Sequence, residues 1–250
     1  RAIGACCGRT LRTCTRSAHA AQTLATATSG ASCPSQCRQH GEPCSETRRI
    51  SSTQCPATAA DSTASGASGD SNAILRGLLD HEYAKKALLP LVDAPAVDQA
   101  HAVGVGATLT LNLGGSIDPA RFTPLPLEVY VQTLSDGNFT YEGGLPAEAG
   151  RTAVLIHGQH AILITEHIAA SVGLRLFQAH GLEPTDYDLV VCKSPNGFRV
   201  HYEALAARIV AVDVPGSTSA NLKSLPYTQC IRPIFPLDEG VSPPFSLQDE

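Results

Sequence analysis

Methionine and tryptophan are absent from the 250 residues, and aromatic residues make up only 5% of them. A translated chain begins with Met, whereas this one begins with Arg1. We therefore expect a processed, truncated or incompletely assembled sequence. No stretch offers a run of apolar residues of membrane-spanning length, about 18 or more. A charged-then-apolar leader is missing too, so the expectation is a cytoplasmic chain that meets no membrane. Three local signatures of catalysis are also absent. No Lys follows Gly69 as it would in a G-x-x-x-x-G-K-S/T phosphate loop. No Ser stands in G-x-S-x-G, which excludes a nucleophile elbow. His81-Glu82 lacks the second His of H-E-x-x-H.

Residues 1–60 lack Lys, Val, Phe and Tyr, and hold four large aliphatic side chains, Ile3, Leu11, Leu24 and Ile50. They carry seven of the nine cysteines (Cys6, Cys7, Cys14, Cys33, Cys37, Cys44, Cys55), seven Arg and two Glu. Their net charge is +5, which leaves −10 for the rest of a −5 chain. Four aliphatic side chains cannot bury enough area to offset ordering sixty residues. Residues 1–57 are therefore expected to be irregular, and 58–250 to form one domain. Three readings compete for the first segment. A secreted disulfide module conflicts with an odd cysteine count and no leader. A zinc knuckle of Cys33, Cys37, His40 and Cys44 lacks the usual paired C-x-x-C spacing. An out-of-frame reading of a GC-rich gene explains the Arg, Ala, Ser, Thr, Cys and Pro mixture, and is the expectation here. The acidic remainder argues against non-specific nucleic-acid binding, which needs a basic face.

The chain is organised around Asp61-Ser62-Thr63-Ala64-Ser65-Gly66-Ala67-Ser68-Gly69-Asp70-Ser71-Asn72, which has no large apolar side chain. Glycines and small residues let its backbone turn tightly and expose N–H groups. Ile74, Leu75, Leu78 and Leu79 then make one helical face. Asp70 or Ser71 is the expected N-cap. The stretch is either a linker ending in a capped helix or an anion seat at a helix N-terminus.

Further on, residues 87–92 read as a short buried strand, placed at an edge or cut short by Pro90. Asp93 should cap a helix from Pro95 to Val103, closed by Gly104. Leu109, Leu111 and Leu113 alternate on a strand, as do Leu127, Val129 and Val131. Asp136-Gly137 reads as a hairpin turn into Phe139-Thr140-Tyr141. His157-Gly158-Gln159-His160 reads as a second hairpin turn. A short helix spans 174–180, and Gly181 ends it. Leu189–Cys192, a helix over 198–207 and Ile209–Val212 read as a βαβ unit. The fold class is thus mixed α/β (α+β), with central antiparallel hairpins, a C-terminal βαβ unit and an irregular Pro-rich tail.

Among constellations, His157, His160 and His167 with Glu166 are the residue types that could bind zinc. They flank a hairpin turn, where polar side chains belong anyway. His157 and His160 are expected to be partly exposed and to hold no zinc. Cys192 lies in a buried strand, where a thiol acts as a small hydrophobe. Lys193 and Ser194 stand at the carboxyl end of a parallel strand, where open α/β sheets place ligand contacts. A solvated strand end is the alternative. Asp61 and Asp70 could converge on one cavity and orient a metal ligand from elsewhere. Turn former and helix cap are their plainer roles.

Asp61 to Arg76 also resembles the start of the C-terminal domain of the microcystinase C (MlrC) family. Gly104-Val105-Gly106-Ala107-Thr108-Leu109, Val191-Cys192-Lys193-Ser194 and Val212-Asp213-Val214-Pro215-Gly216 are similar to family motifs. So are Leu225-Pro226-Tyr227 and Arg232-Pro233-Ile234-Phe235-Pro236-Leu237-Asp238. The resemblance implies a two-domain zinc metallopeptidase acting on short or linearised peptides. It places the metal ligands in an N-terminal catalytic domain that this chain does not contain. Zinc is then not expected on this chain alone, and no catalytic or metal residue is expected here. Asp61, Ser65, Gly66, Gly69, Asp70, Ser71, Lys193 and Ser194 are the expected substrate or domain contacts. A small-anion or partner-binding module, or a non-functional gene fragment, are the alternatives.

Overall fold

The computed structural model describes residues 53–242. The knuckle reading of Cys33 to Cys44, and the character of residues 1–52, lie outside the described residues. β1 (Gln54–Thr58) opens the described residues, so residues 54–57, expected to be irregular, belong to a strand of the sheet. It is followed by α1 (Ala73–Asp80), β2 (Ala87–Val92), α2 (Ala94–Val103) and β3 (Thr108–Leu113). Then come β4 (Leu125–Ser135), β5 (Asn138–Thr140), β6 (Pro146–Glu148), β7 (Thr152–His157) and β8 (His160–Thr165). The chain closes with α3 (Arg175–Gln178), β9 (Leu189–Val190), β10 (Cys192–Lys193), α4 (Arg199–Tyr202) and β11 (Arg208–Ala211).

β9 and β10 are two halves of one line, so the large sheet runs β11, β1, β9/β10, β2, β8, β7, β4, β3. β11 through β8 are parallel, and β8 is antiparallel to β7. The expected hairpin at 157–160 is there, with His157 opposite His160. The expected hairpin at Asp136-Gly137 is not. β4 pairs with β3 and β7, while β5 turns away and pairs with β6 in a separate ribbon. The βαβ unit also differs from expectation. Its helix is confined to Arg199–Tyr202, and β1 lies between its two strands.

Helices cover both faces. Leu75 and Leu78 of α1 and Ala96, Val97 and Ala100 of α2 pack with Leu89, Leu91, Ile162 and Val191. Phe177 of α3 and Tyr202 of α4 pack on the other side with Cys55, Leu88, Leu163 and Cys192. This explains how β1 forms from Gln-Cys-Pro-Ala-Thr. A strand sandwiched between layers needs no alternation, and small side chains suffice.

Two prolines shape the centre. Pro90 does not put β2 at an edge, since β2 pairs with β8 on one side and β9 on the other. In a parallel strand the N–H and C=O of one residue face the same neighbour, and the next residue faces the opposite one. The Leu88 carbonyl accepts from Val191 N–H, so Pro90 turns its missing N–H toward the same neighbour. Gln54 N–H donates to the Asp188 carbonyl, so Pro56 also faces the β9/β10 line. That line is therefore flanked by two residues that cannot donate. It breaks at Val191, and β10 leaves β2 to pair with Ala57 and Thr58 of β1. The gap this opens beside β2 is where the small-residue stretch enters.

Candidate functional site

Gly69 sits in that gap. Its carbonyl accepts from Val92 N–H at 3.1 Å and from Lys193 Nζ at 2.7 Å. Lys193 also donates to the Asp61 carboxylate at 2.8 Å and to the Ser71 carbonyl at 3.2 Å. The other side of Asp61 is taken by backbone: Gly69 N–H reaches Oδ1 at 2.8 Å and Ser71 N–H reaches Oδ2 at 2.9 Å. An anion seat is thus built by the turn, and its occupant is the chain's own carboxylate. Asp61 is 1% exposed and Lys193 5%, so the ion pair is buried.

Asp70 is buried as well, and it does not cap α1. Its Oδ2 accepts from Ile117 N–H at 2.7 Å and Asp118 N–H at 2.8 Å, while Oδ1 accepts from Ser68 Oγ. Asn72 occupies the N-cap position with no side-chain cap bond. Its amide instead donates to the Leu113 and Thr123 carbonyls. The Ser71 hydroxyl accepts weakly from Ala73 N–H at 3.4 Å. Asp93 caps α2 as expected, accepting from Ala96 N–H, and its second oxygen accepts from Gly114 N–H at 2.7 Å. Burial pushes its carboxyl above the ordinary range. Between them Asp70 and Asp93 hold residues 114–118 by their backbone N–H groups.

Four loops therefore meet at the carboxyl edge of the parallel strands. Thr63 Oγ1 donates to the Ala169 carbonyl, Ser171 Oγ accepts from Lys193 N–H, and Thr218 N–H donates to the Ala60 carbonyl. The connection from β1 passes over one face to β2, and that from β10 passes over the other to β11. The two depart in opposite directions from adjacent strands. Such a reversal leaves a crevice at the carboxyl ends, the usual ligand position in open α/β sheets. The lining here includes Thr58, Asp61, Ser71, Pro90, Val191, Lys193 and Val214.

The expected site residues divide by depth. Ser65 and Gly66 are exposed at the tip of the turn. Asp61, Gly69, Asp70, Ser71, Lys193 and Ser194 lie buried beneath it. Lys193 is therefore not a solvated strand end. Asn72, Asp93 and Ser171 were missed as parts of this assembly. Asp93 carried a signal only for helix capping, and Ser171 none.

The three histidines do not form one cluster, since His157 stands opposite His160 while His167 lies beyond the other end of β8. His157 Nδ1 lies 2.7 Å from the Glu128 carbonyl, and His167 is exposed. Glu166 is bound by Arg151, whose guanidinium and N–H hold its carboxyl down to about 2. His160 is 5% exposed rather than partly open, because its ring stacks on Tyr83 at 6.1 Å. Burial first, then His157, lowers its pKa. A lowered basic pKa means the unfolded chain takes the proton first. Stability should thus fall as pH drops below the unfolded value of about 6.5. We expect an NMR midpoint for His160 below 6.5, and a normal midpoint would refute the buried placement. Among the described residues no group of three or more His, Cys, Asp or Glu is placed to hold a metal ion. The buried aspartates are already committed to N–H donors and Lys193. A zinc ion does not fit these residues.

A family model described as MlrC C-terminus matches residues 57–229, more than half of the chain. The chain belongs to the MlrC C-terminus family. It is 25% identical over 178 residues to Microcystinase C of Sphingomonas sp, covering 71% of this chain and 34% of that one. A crystal structure from Mesorhizobium sp. BNC1, of a protein assigned as a metallopeptidase, superposes with a TM-score of 0.69 at 28% identity. The match covers 76% of this chain and 39% of that one. The chain thus spans little more than a third of the length of these relatives. Within the MlrC C-terminus match fall the whole 61–72 turn, Lys193 and the loop through Thr218 that packs on Ala60. No helix among the described residues is long and apolar enough to cross a membrane.

Proposed function

We propose that this chain is the carboxyl-terminal, non-ligating part of an MlrC-type zinc metallopeptidase acting on short or linearised peptides. One observation carries the reading. A chain of this family, spanning about a third of Microcystinase C, commits each buried carboxylate at its crevice to internal donors. Those carboxylates serve to hold loops in place. The zinc and its ligands belong to the amino-terminal part that the longer relatives have room for. The role of this part is to present a rigid carboxyl edge to the metal cleft, with the Ser65-Gly66 tip reaching the peptide or the other domain. Rigidity follows from the Asp61–Lys193 pair and from the Asp70 and Asp93 clamps. Preorganised contacts of this kind hold a substrate without losing freedom at the moment of reaction.

The test is co-expression of this chain with the amino-terminal part of Sphingomonas Microcystinase C. Hydrolysis of a linear peptide and stoichiometric zinc are expected only in the mixture. Peptide hydrolysis by this chain alone, or no association between the two parts, would overturn the reading.

A further inference from the structure

We infer that residues 222–238 form an arm that docks on an apolar groove of the metal-bearing amino-terminal part. The inference rests on the two-domain reading above and adds the surface that joins the domains. Thr218 ties the preceding loop to Ala59, Ala60 and Ser62 at the carboxyl edge. From Leu222 onward, every hydrogen bond and ion pair among the described residues is made within residues 221–242. The segment leaves the edge that carries the crevice and does not return to the sheet by any polar contact.

The arm is nevertheless ordered internally. Both oxygens of Asp238 hold the Arg232 guanidinium, with Nε to Oδ2 at 2.6 Å. Ile234 N–H donates to the same Oδ2 at 2.6 Å, and Leu237 and Asp238 N–H groups return to the Ile234 carbonyl. The closed loop turns apolar side chains outward: Ile231 is 88% exposed, Ile234 43% and Phe235 48%. With Leu222 and Tyr227 they make five of the twelve exposed large apolar side chains among the described residues. Scattered apolar residues on a surface are ordinary, but a clustered patch marks an interaction site. A shape held before contact loses little freedom on docking.

The occupant follows from charge, position and length. Arg232 and Asp238 neutralise each other, and Lys223 leaves the arm a net charge of only +1, too little to hold nucleic acid or an ionic surface. It departs beside the crevice, where the metal-bearing part must approach. The relatives' remaining length, about two thirds of Microcystinase C, supplies that partner.

The experiment uses the co-expressed pair described above. Ile231→Asp with Phe235→Asp should weaken association at least tenfold and leave the thermal midpoint of this chain unchanged. Arg232→Ala, which opens the loop, should weaken it in the same direction. Val200→Asp, at a site 83% exposed on α4, should bind as wild type. Wild-type affinity in the arm variants, or equal loss in Val200→Asp, overturns the arm while leaving the two-domain reading intact. If the wild-type chain does not associate, the two-domain reading falls and the arm with it.

Discussion

Lys193→Met is expected to lower the unfolding free energy by about 3–5 kcal/mol, the range for removing one partner of a buried ion pair. The substitution keeps the length and most of the volume of the side chain, so the loss is electrostatic. Asp61 would remain buried at 1% exposure with two N–H donors and no cation. The carbonyls of Gly69 and Ser71 would lose their shared donor at the same time. Asp61→Asn should be costly for a related reason, because an amide in that place sets a donor against Gly69 or Ser71 N–H. The double variant should recover part of the loss, since no uncompensated charge remains. Urea unfolding of the wild type, both single variants and the double variant gives the coupling directly. A cost below about 1 kcal/mol for Lys193→Met, as for an exposed pair, would mean the amine does not hold the turn.

Gly69→Val should be at least as damaging, and it should act on folding before function. Gly69 has φ +78°, where a β-branched residue is strained by about 1–3 kcal/mol. An added Cβ would also stand 2.5 Å from Thr63 Cγ2 and 2.6 Å from Val92 Cγ2. Overpacking adds roughly another 1–3 kcal/mol. Gly66 makes the contrast. Its φ is +95°, but a Cβ there meets nothing within 4 Å. Gly66→Ala should therefore cost only the backbone strain, about 1 kcal/mol. Thermal unfolding of the two variants side by side distinguishes them. Equal midpoints would show that the gap beside β2 is not closely filled. Contact at the turn is accordingly best probed at Ser65 or Gly66, whose replacement leaves the buried assembly intact.

Much of the architecture was legible along the chain. The four apolar positions of α1, the Asp93 cap of α2, the alternation in β3 and β4 and the 157–160 turn are local signals, and each appears where its period or turn chemistry put it. Family membership was legible too, because ordered motifs survive where overall identity is 25%. β1 was not legible. Gln-Cys-Pro-Ala-Thr carries no strand period, and only the layers packed on it make it a strand. Pro90 was read as marking an edge or an early end of the strand. Its missing N–H does face a broken ladder, but that break lies in the middle of the sheet. Asp136-Gly137 has good turn residues, yet its strands pair elsewhere, since β4 found β7 as a longer partner.

Residue type and spacing thus determined most of the helices and strands and which family the chain belongs to. They also marked the 61–72 turn as the place to look. Tertiary structure alone decided that Asp61 and Lys193, 132 positions apart, share one buried bond. It also decided that Asp70 clamps residues 117 and 118 rather than capping its own helix. The physical reason is that a carboxylate goes to the nearest donors that burial leaves unpaired. Those donors come from strands and loops brought together by sheet order, which no local period encodes.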